Sequence, residues 1–187
     1  MKVLIFGGKS GWIGQKFASL LRDRTDALVV CTSERMENRE AVDRLLCEEQ
    51  PSHVVIAAGK TGTPNVDWCE DHRADVVRAN VIGTLTVCDL CHLKGIHVTN
   101  FATGCIYEGQ MYEGTGFVET DNPNFDRSFY SFSKICAENM IKSAFNDTVL
   151  TLRLRMPISD DLHPRSFVTK ITKYEKVVDV PNSMTVL

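Results

Sequence analysis

The chain has 187 residues, 43% of them hydrophobic and 24% charged, with a formal net charge of -3. That length suits one domain with a substantial core and leaves no comfortable room for two. The balance shows neither the basic excess of a nucleic-acid surface nor the long like-charge run of a solvating tail, so no nucleic-acid partner is expected.

In chain order, KVLIF (2–6) is a short apolar run ending in glycines, and GWIGQKFASLLRD follows with Ile13, Phe17, Leu20 and Leu21 at helical spacing. ALVVC (27–31) reads as a second strand. REAVDRLLCEEQ reads as an amphipathic helix stopped by Pro51, and HVVIAA (53–58) as a third strand. Two helical stretches cover roughly 66–94, GIHVTNFA is a fourth strand, and a Gly/Asn/Pro-rich segment at 109–127 is irregular. SFYSFSKICAENMIKSAF is helical and TVLTLRLR (148–155) is a fifth strand. Beyond Pro157, HPRSFVTKITKYEK reads as helical and VVDVP as strand-like. Strands alternating with helices argue for a parallel sheet covered on both faces, an α/β Rossmann-type doubly wound fold. The expected organisation is a dinucleotide-binding domain over 1–155, followed at 156–187 by the start of a substrate-binding part.

The N-terminal apolar stretch is four residues long before Gly7, too short for a signal peptide, and no segment approaches membrane-spanning length. A cytoplasmic setting without a membrane partner follows as an expectation, with the seven cysteines reduced. CDLCH (88–92) matches the C-x-x-C-H spacing of covalent haem attachment. It also ends an apolar-periodic run in which Cys88 and Cys91 share one helix face, and two small core residues are the preferred reading.

GGKSGWIG supplies Gly8, Gly11 and Gly14 between the first strand and the first helix. This spacing lets the backbone turn sharply, brings amides to a pyrophosphate and packs helix against strand, while the helix N-terminus favours the anion. Trp12 and Ile13 within the loop, Ala57, Ala58 and Gly59 after the third strand, and Tyr130 and Lys134 further on join the candidate cofactor set. After the second strand stands CTSERMEN. Ser33 and Arg35 suit a 2′-phosphate, Glu34 argues mildly for ribose hydroxyls, and a solvated turn is the plain alternative. The balance favours NADPH, with NADH usable. No metal site is assigned.

YSFSK puts Tyr130 and Lys134 four residues apart at the start of a helix, on one face. An ammonium beside a phenol lowers the phenol's pKa, so Tyr130 would deliver a proton to a carbonyl receiving hydride. Thr103, in ATG after the fourth strand, would orient the same carbonyl. Cys105, two residues on, is either one more small buried residue or a second proton-transfer group beside that hydroxyl.

With these features the chain resembles the extended short-chain dehydrogenase/reductases, and within them the bifunctional nucleotide-rhamnose synthases. The stretches that carry the likeness are GKSGWIG, PSHVVIAAGKTGTPNVDWCE, NVIGTLTVCDLC, ATGCIYE, NPNFDRSFYSFSK, LRLRMPIS and TKITKYEKVVDVPNSMTVL. The resemblance implies a dinucleotide loop at Gly8, Gly11 and Gly14, a basic residue after the second strand at Arg35, and a reductase triad of Thr103, Tyr130 and Lys134. It further implies epimerisation by Cys105 with Lys170. The 4,6-dehydratases of the superfamily carry Asp-Glu directly after the threonine; here Gly104 and Cys105 stand there, so dehydration is not expected. The implied substrate is UDP-4-keto-6-deoxy-D-glucose, epimerised at positions 3 and 5 and reduced at position 4 with NADPH to UDP-L-rhamnose. Rival readings are a dTDP-4-dehydrorhamnose-type 4-reductase without epimerase activity and a non-catalytic NADP-binding regulatory subunit. A homodimer is a further expectation. The family continues well beyond Leu187, so most of its C-terminal substrate subdomain is expected to lie outside this chain.

Overall fold

The computed structural model describes residues 1–110, 116–176 and 185–187. Its strands are β1 (Lys2–Phe6), β2 (Leu28–Thr32), β3 (His53–Ile56), β4 (His97–Thr103) and β5 (Val149–Leu154). Its helices are α1 (Trp12–Arg24), α2 (Arg39–Glu49), α3 (Trp68–Asp71), α4 (Arg73–Val76), α5 (Thr84–Leu93), α6 (Phe129–Ala144) and α7 (Phe167–Ile171), with a π-helical turn at Val77–Gly83 between α4 and α5.

All five strands are parallel, in the order β2-β1-β3-β4-β5. A strand covered on both faces needs apolar side chains in both directions, which is why β1 is an unbroken apolar run. Alternation along it sorts the core into two layers. Leu4 and Phe6, with Val54, Ile56 and Val98, pack against Val42 and Leu46 of α2, Val87, Cys88 and Cys91 of α5, and Ile141 of α6. Val3 and Ile5, with Val55, pack on the other face against Phe17, Ala18 and Leu21 of α1. The chain leaves β1 for β2 on one side and returns to β3 on the other. Between the carboxyl ends of β1 and β3 this reversal opens the crevice where such sheets place their ligands.

Local signals set the boundaries. Asn38 caps α2 by accepting from the Ala41 amide at 3.2 Å, and Gln50 closes the helix in the left-handed region (φ 45°) before Pro51. β3 ends at Ile56, short of its apolar run, although the Ala57 amide still donates to the Phe6 carbonyl of β1 at 2.9 Å. The strand-like VVDVP (177–181) lies outside the described residues, and α7 covers only five residues of the expected C-terminal helix.

One length estimate is corrected. α4, the π-turn and α5 run together as Arg73–Leu93, 21 residues with a mean hydropathy of 1.3 in its most apolar window, long and apolar enough by those measures to cross a membrane. Its apolarity has a local cause, since Val76, Val87, Cys88, Leu90 and Cys91 are buried in the protein's own core. Burial pushes the thiols of Cys88 and Cys91 up to about 12, which keeps them protonated and inert. The C-x-x-C-H spacing is therefore two core cysteines on one helix face.

Candidate active site

The glycine loop after β1 is tighter than the triplet alone suggests. Gly7, outside the triplet, has φ +85°, and a Cβ there would sit 2.8 Å from the Ala57 carbonyl carbon. A Cβ on Gly14 would collide with the Gly7 carbonyl oxygen, which already accepts from the Gly11 amide at 2.9 Å. The loop thus presses against the end of β3 and delivers α1 with its N-terminus uncapped by any side chain and no acidic residue in its first turn. Free amides and an unopposed positive helix end fit a dinucleotide pyrophosphate.

The Trp12 side chain has partners of its own away from the loop. The Trp12 backbone opens α1, but the buried indole donates to Asp161 at 3.2 Å and stacks on His163 at 4.9 Å. The side chain anchors the segment after β5, and Lys16 reinforces it through Asp161 at 3.1 Å. Ile13 follows half-buried in the first turn.

Past β2, Ser33, Glu34 and Arg35 are exposed; the Arg35 side chain is 72% exposed and lies 3.3 Å from Glu37. Arg35, Glu37, Lys60, Asp75, Arg78 and Ala79 line a cavity of about 270 Å³, with three cations against two carboxylates. A second cavity of about 270 Å³ lies beside it, bounded by Gly59–Thr63, Trp68 and Arg165. Lys60 belongs to both, its ammonium 5.1 Å from the Trp68 ring centre. Asn80, 1% exposed in the π-turn, clasps the Lys60 backbone on both sides: its Oδ1 accepts from the amide at 2.7 Å and its Nδ2 donates to the carbonyl at 3.0 Å. Sequence reasoning missed Asn80. The available signal was a polar residue inside an otherwise apolar helical run, a buried group that must find partners.

The proposed triad assembles around the start of α6. Ser128 caps that helix by accepting from the Ser131 amide, which places Tyr130 and Lys134 on successive inward turns. Thr103, the last residue of β4, is 5% exposed, and its side chain works to lower the pKa of the Tyr130 phenol. Its hydroxyl also accepts from the Cys105 amide at 3.1 Å. Cys105 is half-buried in a small cluster with Tyr130, Cys69, Val76, Trp68 and Phe129.

The electrostatics correct one expectation. Burial, followed by the charge of Cys105, pushes the Tyr130 phenol up to about 12, against a smaller opposing effect of the Thr103 hydrogen bond. Lys134 does not lower it: the ammonium is itself buried, donates to the Phe101 carbonyl at 3.4 Å, and is held down to about 8 by burial, with Glu138 opposing. Desolvation outweighs the four-residue spacing because both groups sit in the interior. The phenol is thereby kept in its protonated, donating form.

A pH dependence follows. The unfolded chain binds the Lys134 proton up to 10.5 and the folded chain only up to about 8, so between these values the unfolded state carries more protons. Stability therefore rises with pH across that window and falls as pH drops towards 8. Lys134→Met removes this slope. Denaturant unfolding of both proteins at pH 8 and pH 10 is expected to show the gap narrowing at the higher pH, with the Met variant the more stable at pH 8.

Lys170 is not drawn into this group. It stands exposed on α7, and among the described residues no hydrogen bond or ion pair engages its side chain. Thr103, Cys105, Tyr130 and Lys134 gather at the carboxyl end of β4; Gly8, Gly11, Gly14 and Ala57–Gly59 gather at the β1/β3 crevice.

The chain is similar to known proteins. Residues 1–180 match the RmlD substrate binding domain. The chain is 49% identical over 185 residues to the bifunctional dTDP-4-dehydrorhamnose 3,5-epimerase/dTDP-4-dehydrorhamnose reductase of Arabidopsis thaliana, covering 96% of this chain and 60% of that protein. The crystal structure of a UDP-rhamnose synthase from Acanthamoeba polyphaga mimivirus superposes with a TM-score of 0.92 at 38% identity, over 99% of this chain and 66% of that one. A dTDP-4-dehydrorhamnose reductase from Bacillus anthracis, solved in complex with NADP, shares the fold at 22% identity with a TM-score of 0.75, over 92% of this chain and 59% of that one. The chain thus spans about three-fifths to two-thirds of the length of these proteins. With its parallel sheet, its glycine loop and its Thr-Tyr-Lys cluster, it belongs to the RmlD substrate-binding-domain family.

Proposed function

We propose that the chain is the catalytic, nucleotide-binding part of an NADPH-dependent 3,5-epimerase and 4-reductase that converts UDP-4-keto-6-deoxy-D-glucose to UDP-L-rhamnose. The observation that carries this reading is the placement of the Cys105 residue in one cluster with Tyr130 and Thr103. A 4-reductase alone needs the phenol and the hydroxyl; the thiol adds a group for moving ring protons. NADPH, when bound, supplies the hydride for position 4. Tyr130, held protonated by burial, gives its proton to the 4-oxygen, and Thr103 orders that oxygen and the phenol together. The ketone acidifies the neighbouring ring protons. A thiol, ordinarily titrating near 8.5, is suited to exchanging them near neutral pH. Incubation with UDP-4-keto-6-deoxy-D-glucose and NADPH, followed by identification of the sugar, tests the reading; a product inverted at neither position 3 nor position 5 would overturn the epimerase half.

Arg35 and its companions Lys60 and Arg78 around one cavity support NADPH over NADH. The expected preference is about tenfold in Kd, roughly 1.4 kcal/mol. Arg35→Ala is expected to remove most of it, as measured by fluorescence titration with each nucleotide. Equal affinities in the parent protein would contradict the assignment.

A further inference from the structure

We propose that Glu70 is a positioning residue for the proton donor Tyr130, acting as a clamp that α3 closes on the first turn of α6. The proposal rests on the reductase reading above for its catalytic consequence, though not for its geometry.

The first amides of any helix lack intrahelical partners. In α6 the Ser128 side chain serves the Ser131 amide, leaving the Phe129 amide to be satisfied elsewhere. Glu70, 59 residues away in sequence, accepts from it through Oε1 at 2.6 Å. Its other oxygen takes the Arg73 guanidinium at 3.1 Å, and that guanidinium lies over the Phe129 ring, 5.0 Å from its centre. Phe129 is therefore gripped at its backbone by the carboxylate and at its ring by the cation. A carboxylate on the positive end of a helix makes a charge-assisted bond, stronger than a neutral cap.

What this turn carries gives the clamp its importance. Tyr130 is the next residue. Ser131 donates to the Cys105 carbonyl at 2.6 Å, so the same turn holds the loop that bears the thiol. Ser133 donates to the Tyr130 carbonyl at 2.7 Å and accepts from Asn80 at 3.3 Å. α3 meanwhile contributes Trp68 to the cavity wall and Cys69 to the cluster around Tyr130. Glu70 thus joins the wall of the cavity to the turn holding both proton-transfer groups, while touching neither.

The test compares Glu70→Ala with Glu70→Gln, which keeps an acceptor oxygen but loses the charge. By NMR hydrogen exchange, the Phe129 amide is expected to be protected in the parent, exposed in the Ala variant and largely restored in the Gln variant. The amides of Val54 and Val98 in the sheet should exchange at the parent rate in all three, showing that the fold is intact. Reduction by the Ala variant should lose about tenfold in kcat, with the KM for NADPH within about twofold, because misplacement rather than lost binding is the defect. Gln should recover most of the kcat. Alkylation of Cys105 by iodoacetamide, located by peptide mass spectrometry, supplies a measure that needs no sugar, and it should accelerate in the Ala variant only. A Phe129 amide that stays protected in Glu70→Ala would overturn the clamp. Unchanged Cys105 alkylation together with unchanged kcat would overturn its positioning role. A parent protein that reduces no sugar would count against the functional reading alone, leaving exchange and alkylation to decide the clamp.

Discussion

Tyr130→Phe is expected to lower ketone reduction by about a hundredfold to ten-thousandfold, the usual worth of a positioned general acid, while nucleotide affinity stays at the parent value. The change deletes one oxygen. Its ring remains packed with Cys69, Val76 and Phe129, so the cluster keeps its shape. Thr103 keeps its bond from the Cys105 amide, and the cost to stability is expected to stay at about 1.5 kcal/mol or less. On the proposed reading most of the nucleotide's contacts come from the glycine loop and the end of β2, so removal of one phenol oxygen should leave affinity within about twofold. The pH dependence adds a second check. Because the phenol is pushed up to about 12, it stays protonated through the neutral and mildly alkaline range. Loss of reduction due to the phenol should therefore begin only as pH approaches 12, not near the ordinary tyrosine value of 10. Single-turnover oxidation of NADPH, followed by absorbance, measures both effects. Residual reduction within tenfold of the parent would assign the proton to another group.

The contrast between Tyr130 and Glu70 shows which features a linear reading reaches. β1 and β3 were legible because strands buried on both faces must be apolar in both directions, and the glycine triplet was legible because its position between strand and helix has one economical use. Gly7 escaped because its requirement comes from Ala57, fifty positions along the chain, against which the turn is pressed. Asn80 and Glu70 escaped for the same reason: their partners, Lys60 and Phe129, are 20 and 59 residues away, and neither residue type announces its role locally. The Tyr-Lys spacing correctly implied a shared helix face. It did not show that burial would dominate both titrations, since desolvation depends on everything packed around a group. Trp12 is the converse case, the first residue of α1, whose indole serves Asp161, 149 positions along the chain.

Cys105→Ala is expected to separate the two activities. The thiol is half-buried beside Tyr130, and its backbone is held at both ends, by Thr103 at the amide and by Ser131 at the carbonyl. Neither bond involves the side chain, so the loop should keep its course when the sulfur is removed. NADPH binding should be unchanged and the Tyr130 phenol should remain able to donate. Lost, on the proposed reading, is the group that removes or returns the protons at positions 3 and 5, about a hundredfold to ten-thousandfold in exchange rate. Lys170→Ala provides a graded comparison. That lysine is exposed on α7 and has no tie to the cluster among the described residues, so it affects exchange only if bound sugar brings it into range. The decisive measurement is deuterium incorporation into UDP-4-keto-6-deoxy-D-glucose by NMR without NADPH, where reduction cannot proceed and Tyr130→Phe should retain some exchange. Incorporation at both positions by Cys105→Ala at the parent rate would reduce the thiol to a packing group, and the chain to a 4-reductase.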